Sequence, residues 1–250
     1  MSRHYNLEGT QPETLGRKSQ YPSVTTVLPS PDLKDWAAGM SCDYIRNNID
    51  ANMSIEQILG LIETARKEWR TISDEAMNIG TEVHALAEDD AKGIPVDLTG
   101  RREEVANGFK AYLDWKGQYI KRFIAVEVVV YSDEYRYAGT ADVVAELNDG
   151  RIALIDYKTS KGFFSGYDLQ LCAYKFAYEE MNPEKEGIDT VICLRLDKVT
   201  GLPQHKEYKD IDRLTQCWLH MIQAWWLEKK RRLKVEGPVG YDAKIIRSDA

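Results

Sequence analysis

ALIDYKTSK, residues 153–161, is an apolar run that ends in an acid, an aromatic residue and a lysine. Successive side chains of a β-strand lie on opposite faces of the sheet. We therefore expect Asp156 and Lys158 to share one face, whereas Tyr157 lies on the other face with Ile155. Two opposite charges at a strand end form either an ion pair or a metal ligand beside a cation that stabilises a transition state. The surrounding sequence has to distinguish these two interpretations.

This strand is one of several elements predicted in the C-terminal half of the chain. Residues 123–132, 137–147 and 151–158 are rich in β-branched and aromatic residues and are separated by short turn-rich links, which predicts a three-stranded meander. The elements predicted after it are a helix at 167–181, a strand at 190–197, a short edge strand at 206–209 and a long helix at 210–233. The pattern predicts an α/β fold with a mixed sheet.

The chain before residue 123 is predicted to be mainly helical. An extended entry segment at 21–32 contains three prolines and leads to a helix with Asp32 as its N-cap. Ser54 and Gln57 form a capping box at the start of a second helix, and further helices are predicted at 73–90 and 101–121. The second helix has an apolar face that we expect to be core, made of Ile55, Ile58, Leu59, Ile62, Ala65 and Trp69.

Length and composition indicate a globular protein. The chain has 250 residues, of which 43% are hydrophobic, and six are tryptophans. We expect a polar segment at 1–20 and a single domain at 21–250, with a helical part at 21–122, a sheet and helices at 123–235 and a tail at 236–250. Neither a stretch of about 20 apolar residues nor a secretory signal is visible, so a cytoplasmic location is expected and a membrane partner is not.

The net charge and the cysteine spacing exclude some kinds of binding and some kinds of metal site. A net charge of −7 argues against indiscriminate coating of nucleic acid, although it allows a local basic groove. The four cysteines, Cys42, Cys172, Cys193 and Cys217, form no C-x-x-C pair. Their spacing therefore supports neither a zinc site nor an iron–sulfur cluster, and buried free thiols are expected.

Three groups of residues suggest one chemistry. Asp142 follows Gly139 near the start of a predicted strand, Asp156 and Lys158 end the next one, and His84 stands one helical turn after Gly80. Two carboxylates and an imidazole suit Mg²⁺ or Mn²⁺. With a lysine beside them they suit phosphodiester hydrolysis, in which the metal acidifies a water and the ammonium orients that water or stabilises charge on the phosphate.

These residues form a series that resembles a known family. The motifs G-x-x-x-H at 80–84, G-x-x-D at 139–142, D-x-K at 156–158 and Q-x-x-x-Y at 170–174 occur in the order found in RecB-type nucleases of the PD-(D/E)XK superfamily. Phage exonucleases, CRISPR-associated exonucleases and the mitochondrial genome maintenance exonuclease are related forms. The stretch PSVTTVL is also similar to the start of several such proteins, and the resemblance covers about residues 21–200.

The resemblance implies a restriction-endonuclease-like core, a central mixed sheet flanked by helices with an N-terminal helical part. It implies Lys158 as the catalytic lysine, with Asp142 and Asp156 as catalytic carboxylates. The implied metal ligands are His84, Asp142, Asp156 and the main-chain carbonyl of Tyr157, and the residues implied or considered for substrate are Gln170, Tyr174, Thr159 and Lys161. Glu127 resembles an acid that assists the metal or contacts the substrate. Relatives with an iron–sulfur cluster have a C-terminal cysteine group. This sequence lacks such a group, so no iron–sulfur cluster is expected.

The function implied is a Mg²⁺- or Mn²⁺-dependent exonuclease that acts on DNA ends or single-stranded DNA in recombination, repair or replication. A bacterial or phage-infected cell is the expected setting, and a single-strand-binding or annealing protein is a candidate partner. Three alternatives stay open at this point: an endonuclease, a DNA-binding accessory protein without catalysis, and a structural protein whose strand-end charges are ion pairs. Polarity, strand preference and oligomeric state are open as well.

Overall fold

The computed structural model describes residues 4–5, 21–29 and 34–233, and the helices and strands given below lie within these ranges. The helices are α1 Val24–Val27, α2 Lys34–Asn48, α3 Ile55–Ala91, α4 Glu103–Tyr119, α5 Tyr167–Met181 and α6 Ile211–Leu233. The strands are β1 His4–Tyr5, β2 Tyr21–Pro22, β3 Ile120–Ser132, β4 Tyr137–Leu147, β5 Ile152–Lys158, β6 Thr190–Leu196 and β7 Pro203–Tyr208.

The five longer strands form one mixed sheet in the order β3-β4-β5-β6-β7. The strands β3, β4 and β5 pair antiparallel as the predicted meander. The strand β6 pairs parallel to β5, and β7 returns antiparallel on the edge. A parallel pair needs a crossover connection, and α5 lies in that connection. The prediction of a mixed sheet flanked by helices is therefore confirmed.

Each face of this sheet is covered by a separate apolar cluster. On one face Leu154 packs with residues of α5 and α6, among them Leu171 and Trp218. On the other face Ile155 packs with residues of α3 and α4, including Val83. Burial of each such side chain contributes about 1.5–3 kcal/mol. The alternation along β5 is the one predicted, because Tyr157 joins Ile155 in the second cluster.

The long helix α3 corrects two predictions. The capping box at its start is confirmed. The main-chain N–H of Gln57 donates to Ser54 Oγ over 3.2 Å, and the main-chain N–H of Ser54 donates to Gln57 Oε1 over 2.8 Å. The helix predicted to start at the Ser54 capping box and the helix predicted at 73–90 are, however, one continuous helix of 37 residues. Half of the face predicted as core is also exposed: Ile55, Leu59 and Ile62 are 78%, 58% and 37% exposed, whereas Ala65 is buried and Ile58 and Trp69 are half-buried.

Length explains why this face stays exposed. A helix of 37 residues is about 55 Å long, whereas a strand of seven residues such as β5 spans roughly 23 Å. The sheet therefore cannot cover both ends of α3. Its second half contributes buried residues to the sheet cluster, such as Val83 and Leu86, while α2 packs along its first half, where Ala65 is buried.

The remaining differences are local. The entry segment is not wholly extended, because Val24–Val27 forms one helical turn that Ser23 caps by accepting the Thr26 N–H. The edge strand begins at Pro203 rather than 206. All four cysteines are free thiols, but Cys42 and Cys217 are exposed rather than buried. Asp32 and the tail at 236–250 lie outside the described residues, and so does most of the segment 1–20. No helix in the described ranges is both long and apolar enough to span a membrane.

Candidate active site

The site begins where the ladder between β4 and β5 ends. The paired residues run from Glu146 and Ile152 to Val143 and Ile155. Beyond the last pair, Oδ2 of Asp142 accepts the main-chain N–H of Tyr157 over 2.6 Å. A carboxylate side chain thus takes the position of a main-chain acceptor, which fixes Asp142 beside the end of β5.

Asp156 and Lys158 share one face, as the strand alternation predicts. The Lys158 Nζ lies 2.5 Å from Asp156 Oδ2, and the two side chains are 18% and 5% exposed. Apart from this ion pair, the buried Oδ2 has no hydrogen-bond partner within the described part of the chain. A buried carboxylate oxygen held only by an opposite charge keeps a lone pair available for a further ligand.

The helix α5 supports this ion pair through Gln170. The Lys158 ammonium donates to Gln170 Oε1 over 3.1 Å, and the Gln170 Nε2 donates to the Tyr174 hydroxyl over 2.9 Å and, at 3.4 Å, to Asp156 Oδ1. The ring of Tyr174 in turn lies against Gly139, where an added Cβ would come within 2.3 Å of the ring. The glycine of G-x-x-D therefore makes room for the tyrosine of Q-x-x-x-Y.

His84 approaches from the opposite side on α3. Its Nδ1 lies 3.4 Å from Asp142 Oδ1, and its ring stands edge-on to Tyr157 with 5.8 Å between centroids. One turn earlier, a Cβ on Gly80 would meet the Thr159 hydroxyl at 2.8 Å. The glycine of G-x-x-x-H thus lets α3 come close to Thr159, the residue that follows β5, and His84 lies one turn further along the helix beside Asp142.

The four groups influence one another electrostatically. Burial alone would raise the pKa of Asp142, but His84 and the Tyr157 N–H outweigh it and hold that pKa below its usual value. Burial, with a smaller contribution from Asp142, raises the pKa of Asp156 although Lys158 opposes the shift. Burial lowers the pKa of Lys158, but Asp156 more than offsets this, so that pKa is raised and the ammonium stays charged. Two adjacent carboxyl groups whose pKa values move apart are typical of functional sites.

Comparison with known proteins assigns the chain to a family. A family model described as the PD-(D/E)XK nuclease superfamily matches residues 82–236. The chain belongs to the PD-(D/E)XK nuclease superfamily. The matched range contains His84, Asp142, Asp156 and Lys158, and the mixed sheet flanked by helices is consistent with the restriction-endonuclease-like fold of this superfamily. No match to a curated protein was found.

PD-(D/E)XK nucleases generally use divalent metals such as Mg²⁺ or Mn²⁺. Here His84 lies beside Asp142, while Asp156 is occupied by Lys158. No group of three or more His, Cys, Asp or Glu side chains in the described ranges is gathered closely enough to hold a metal ion as it stands. The predicted ligand set therefore stays a prediction, which the oxygen-rich donor set and the remaining lone pair of Asp156 Oδ2 support.

Glu127 lies on β3 next to these residues. The register pairs Val126 with Val143 and Val128 with Ala141, which places Glu127 opposite Asp142. Its φ of 52° is left-handed, a conformation that is uncommon outside glycine and that often occurs at functional sites. The register thus places the exposed Glu127 beside Asp142, and its role with metal or substrate stays a prediction.

Two residues of the site were missed by the sequence analysis. The Lys158 Nζ lies 4.8 Å from the centre of the Tyr167 ring, and the Tyr167 hydroxyl donates to Ser160 Oγ over 3.2 Å. The buried Arg195 donates to the Ser160 carbonyl over 2.8 Å. A signal for each was present: Tyr167 stands one turn before Gln170 on the same helix face, and Arg195 is an arginine inside an otherwise apolar strand.

Proposed function

We propose that this nuclease is a Mg²⁺- or Mn²⁺-dependent exonuclease that hydrolyses phosphodiester bonds of DNA ends or single-stranded DNA in recombination, repair or replication. The observation that carries the proposal is the convergence of Asp142, Asp156 and Lys158 at the end of β5. Burial of these charges is costly unless they are paired or used, because desolvation penalises each of them. A lone structural ion pair does not explain the second carboxylate and the histidine.

The metal would be held by oxygens of Asp142 and Asp156, by His84 and by the main-chain carbonyl of Tyr157. When bound, it supplies Lewis-acid polarisation of the phosphate and a water acidified toward neutral pH. The proximity of His84 to Asp142, at 3.4 Å, supports its place in this set. The raised pKa of Asp156, due mainly to burial, reflects a carboxylate that a cation would stabilise.

Lys158 would act on the phosphate or on the attacking water through its ammonium group. Three neighbours position it: the carboxylate of Asp156, the amide oxygen of Gln170 and the ring of Tyr167. A cation fixed in advance where negative charge develops lowers the barrier without reorganisation during the reaction. Lys158 is therefore the residue whose loss should affect chemistry most, although it would also lower stability by leaving the buried Asp156 carboxylate without its partner.

Gln170 and Tyr174 support this site from beneath. Both are buried, at 7% and 4% exposure, and they contact Lys158, Asp156 and Gly139. These contacts favour a role in positioning Lys158. The predicted contact of Gln170 and Tyr174 with the substrate strand, and the predicted contacts of Thr159 and Lys161, stay proposals, as does the annealing or single-strand-binding partner.

A cleavage assay tests the function. Purified protein is incubated with single- and double-stranded DNA labelled at one end, with Mg²⁺, Mn²⁺ or chelator. We expect metal-dependent shortening that chelator abolishes, with polarity given by the position of the label. A circular single strand separates the two nuclease classes, since an exonuclease leaves it intact and an endonuclease opens it.

The variants in that assay are Lys158→Ala and, as a control, Lys175→Ala. Lys175 is matched because its side chain is 17% exposed and pairs with Glu179 at 2.6 Å on the same helix as Gln170. We expect cleavage to be lost in the first variant and kept in the second. Binding of DNA without cleavage under any metal would favour the accessory protein instead.

A further inference from the structure

Two turns meet at the edge of the sheet that holds the site. The strands β5 and β6 run parallel, and their last paired residues are Lys158 and Arg195. Because parallel strands have their carboxyl ends at the same edge, the chain segments that follow them are neighbours. One segment contains Lys161 and the other contains Lys198.

A single buried guanidinium fixes both turns. Arg195 donates from Nε to the Ser160 carbonyl over 2.8 Å and from Nη2 to Asp197 Oδ2 over 2.7 Å. Its Nη1 donates to Gln204 Oε1 over 2.7 Å, so each of its three nitrogens donates a hydrogen bond. The guanidinium thus binds Ser160 and Asp197, and Lys161 and Lys198 directly follow these two residues in the chain.

The second turn is fixed from two further directions. Oδ1 of Asp197 accepts the main-chain N–H groups of Val199 and Thr200 over 2.9 and 3.0 Å. The side-chain amide of Asn107, on α4, donates to the carbonyl of Lys198 over 3.3 Å. The backbone that carries Lys198 is therefore set in place before any ligand binds.

The two ammonium groups repel each other. Burial lowers the pKa of Lys198, Glu104 raises it, and the charge of Lys161 lowers it again, so that the net shift is downward. Neither lysine takes part in the ion pairs of the described chain, unlike Lys158 with Asp156. Lys161 is exposed and Lys198 is half-buried, and an anion that binds between the two ammonium groups would relieve their mutual repulsion.

We propose that Lys161 and Lys198 form a second cationic site that binds a backbone phosphate of the DNA strand outside the catalytic centre, with Arg195 as the positioning residue for both. The inference rests on the proposed function, because a nucleic-acid strand at the end of β5 is the anion that this edge would meet. Lys161 was already a candidate for substrate contact, whereas Lys198 adds a partner from a different strand.

Salt-dependent DNA binding tests the proposal. A labelled single-stranded oligonucleotide is titrated with wild type, Lys161→Gln and Lys198→Gln in chelator, so that no strand is cut, at several salt concentrations. Each phosphate contact adds about 0.7 to the slope of log affinity against log salt for a single strand. We expect each variant to bind several-fold more weakly at low salt and to lose about that much slope.

The control is Lys185→Gln, which removes the same charge from an exposed lysine before β6, at the opposite edge of the sheet. It should bind like wild type. Arg195 is left intact because its buried guanidinium also holds the fold. Melting temperatures near that of wild type would show that the glutamine variants remain folded.

The outcomes separate the two proposals. If wild type binds DNA and both glutamine variants keep its affinity and salt slope, the second cationic site is wrong and the nuclease proposal stands. If all three lysine variants weaken binding equally, the effect is one of total charge and the site is again wrong. If wild type binds no DNA in chelator or in Mg²⁺, the proposed function itself fails.

Discussion

The two halves of α3 look alike in sequence and differ in what they do. In the first half, Ile55 and Leu59 are 78% and 58% exposed. In the second half, Val83 and Leu86 are 0% and 5% exposed, and His84 between them lies beside Asp142. Apolar residues recur at helical spacing in both halves. The comparison shows that periodicity predicts a helix, whereas burial and function depend on whether a sheet lies against it.

The largest contrast is expected in stability. Leu86→Ala should lower the free energy of unfolding by about 2–5 kcal/mol, because a buried leucine leaves a cavity. Leu59→Ala, the same change in the first half, should cost at most about 0.5 kcal/mol. Urea denaturation of the two variants measures the difference, and equal losses would show that the first half is covered in solution.

The next contrast concerns activity. His84→Ala should slow DNA cleavage by at least about 100-fold, since loss even of an outer partner of a metal site typically costs 10–100-fold. Glu63→Ala serves as the control from the first half, where Glu63 pairs with Arg66 and is 64% exposed. It should cleave at the wild-type rate. If the His84→Ala protein cleaves DNA at the wild-type rate, the assignment of His84 to the active site is wrong.

The smallest contrast uses two glycines of the same helix. Nothing lies within 4 Å of a Cβ on Gly60, so Gly60→Ala should stabilise the protein by about 0.5–1 kcal/mol. At Gly80 an added Cβ would come 2.8 Å from the Thr159 hydroxyl, so steric conflict should offset the gain in stability that alanine gives at Gly60. We expect Gly80→Ala to slow cleavage as well, because Thr159 directly follows Lys158. Thermal melting and cleavage rates measure both effects, and equal stabilisation without loss of activity would contradict the close approach.

Much of the sheet could be predicted because its signals are local. The alternation along β5 predicts which residues share a face, and the turn-rich links predict the meander. The break predicted within α3 was wrong because the acid-rich stretch at Asp74 and Glu75 resembles a helix start, although no proline or glycine interrupts the chain between Gly60 and Gly80. The exposed face of Leu59 could not be predicted, since no local pattern states how far a sheet extends.

The candidate catalytic residues, with Gln170 and Tyr174 beside them, could be proposed from motif order, but Tyr167 and Arg195 lie outside the motifs. Tyr167 and Arg195 contact the site across turns, through Lys158 and Ser160. Such contacts depend on the parallel pairing of β5 with β6, which no single motif states. The close fit of Gly139 to the Tyr174 ring is likewise visible only in three dimensions.

The most direct test of the account is the cleavage rate of Asp156→Asn in Mn²⁺, measured beside its melting temperature. Asparagine has nearly the same shape as aspartate, but it leaves the buried Lys158 ammonium without this carboxylate, so the variant should fold with a lowered melting temperature. We predict a folded protein that does not cut DNA. A folded Asp156→Asn protein that cuts DNA at the wild-type rate would contradict the assignment of the active site to the end of β5.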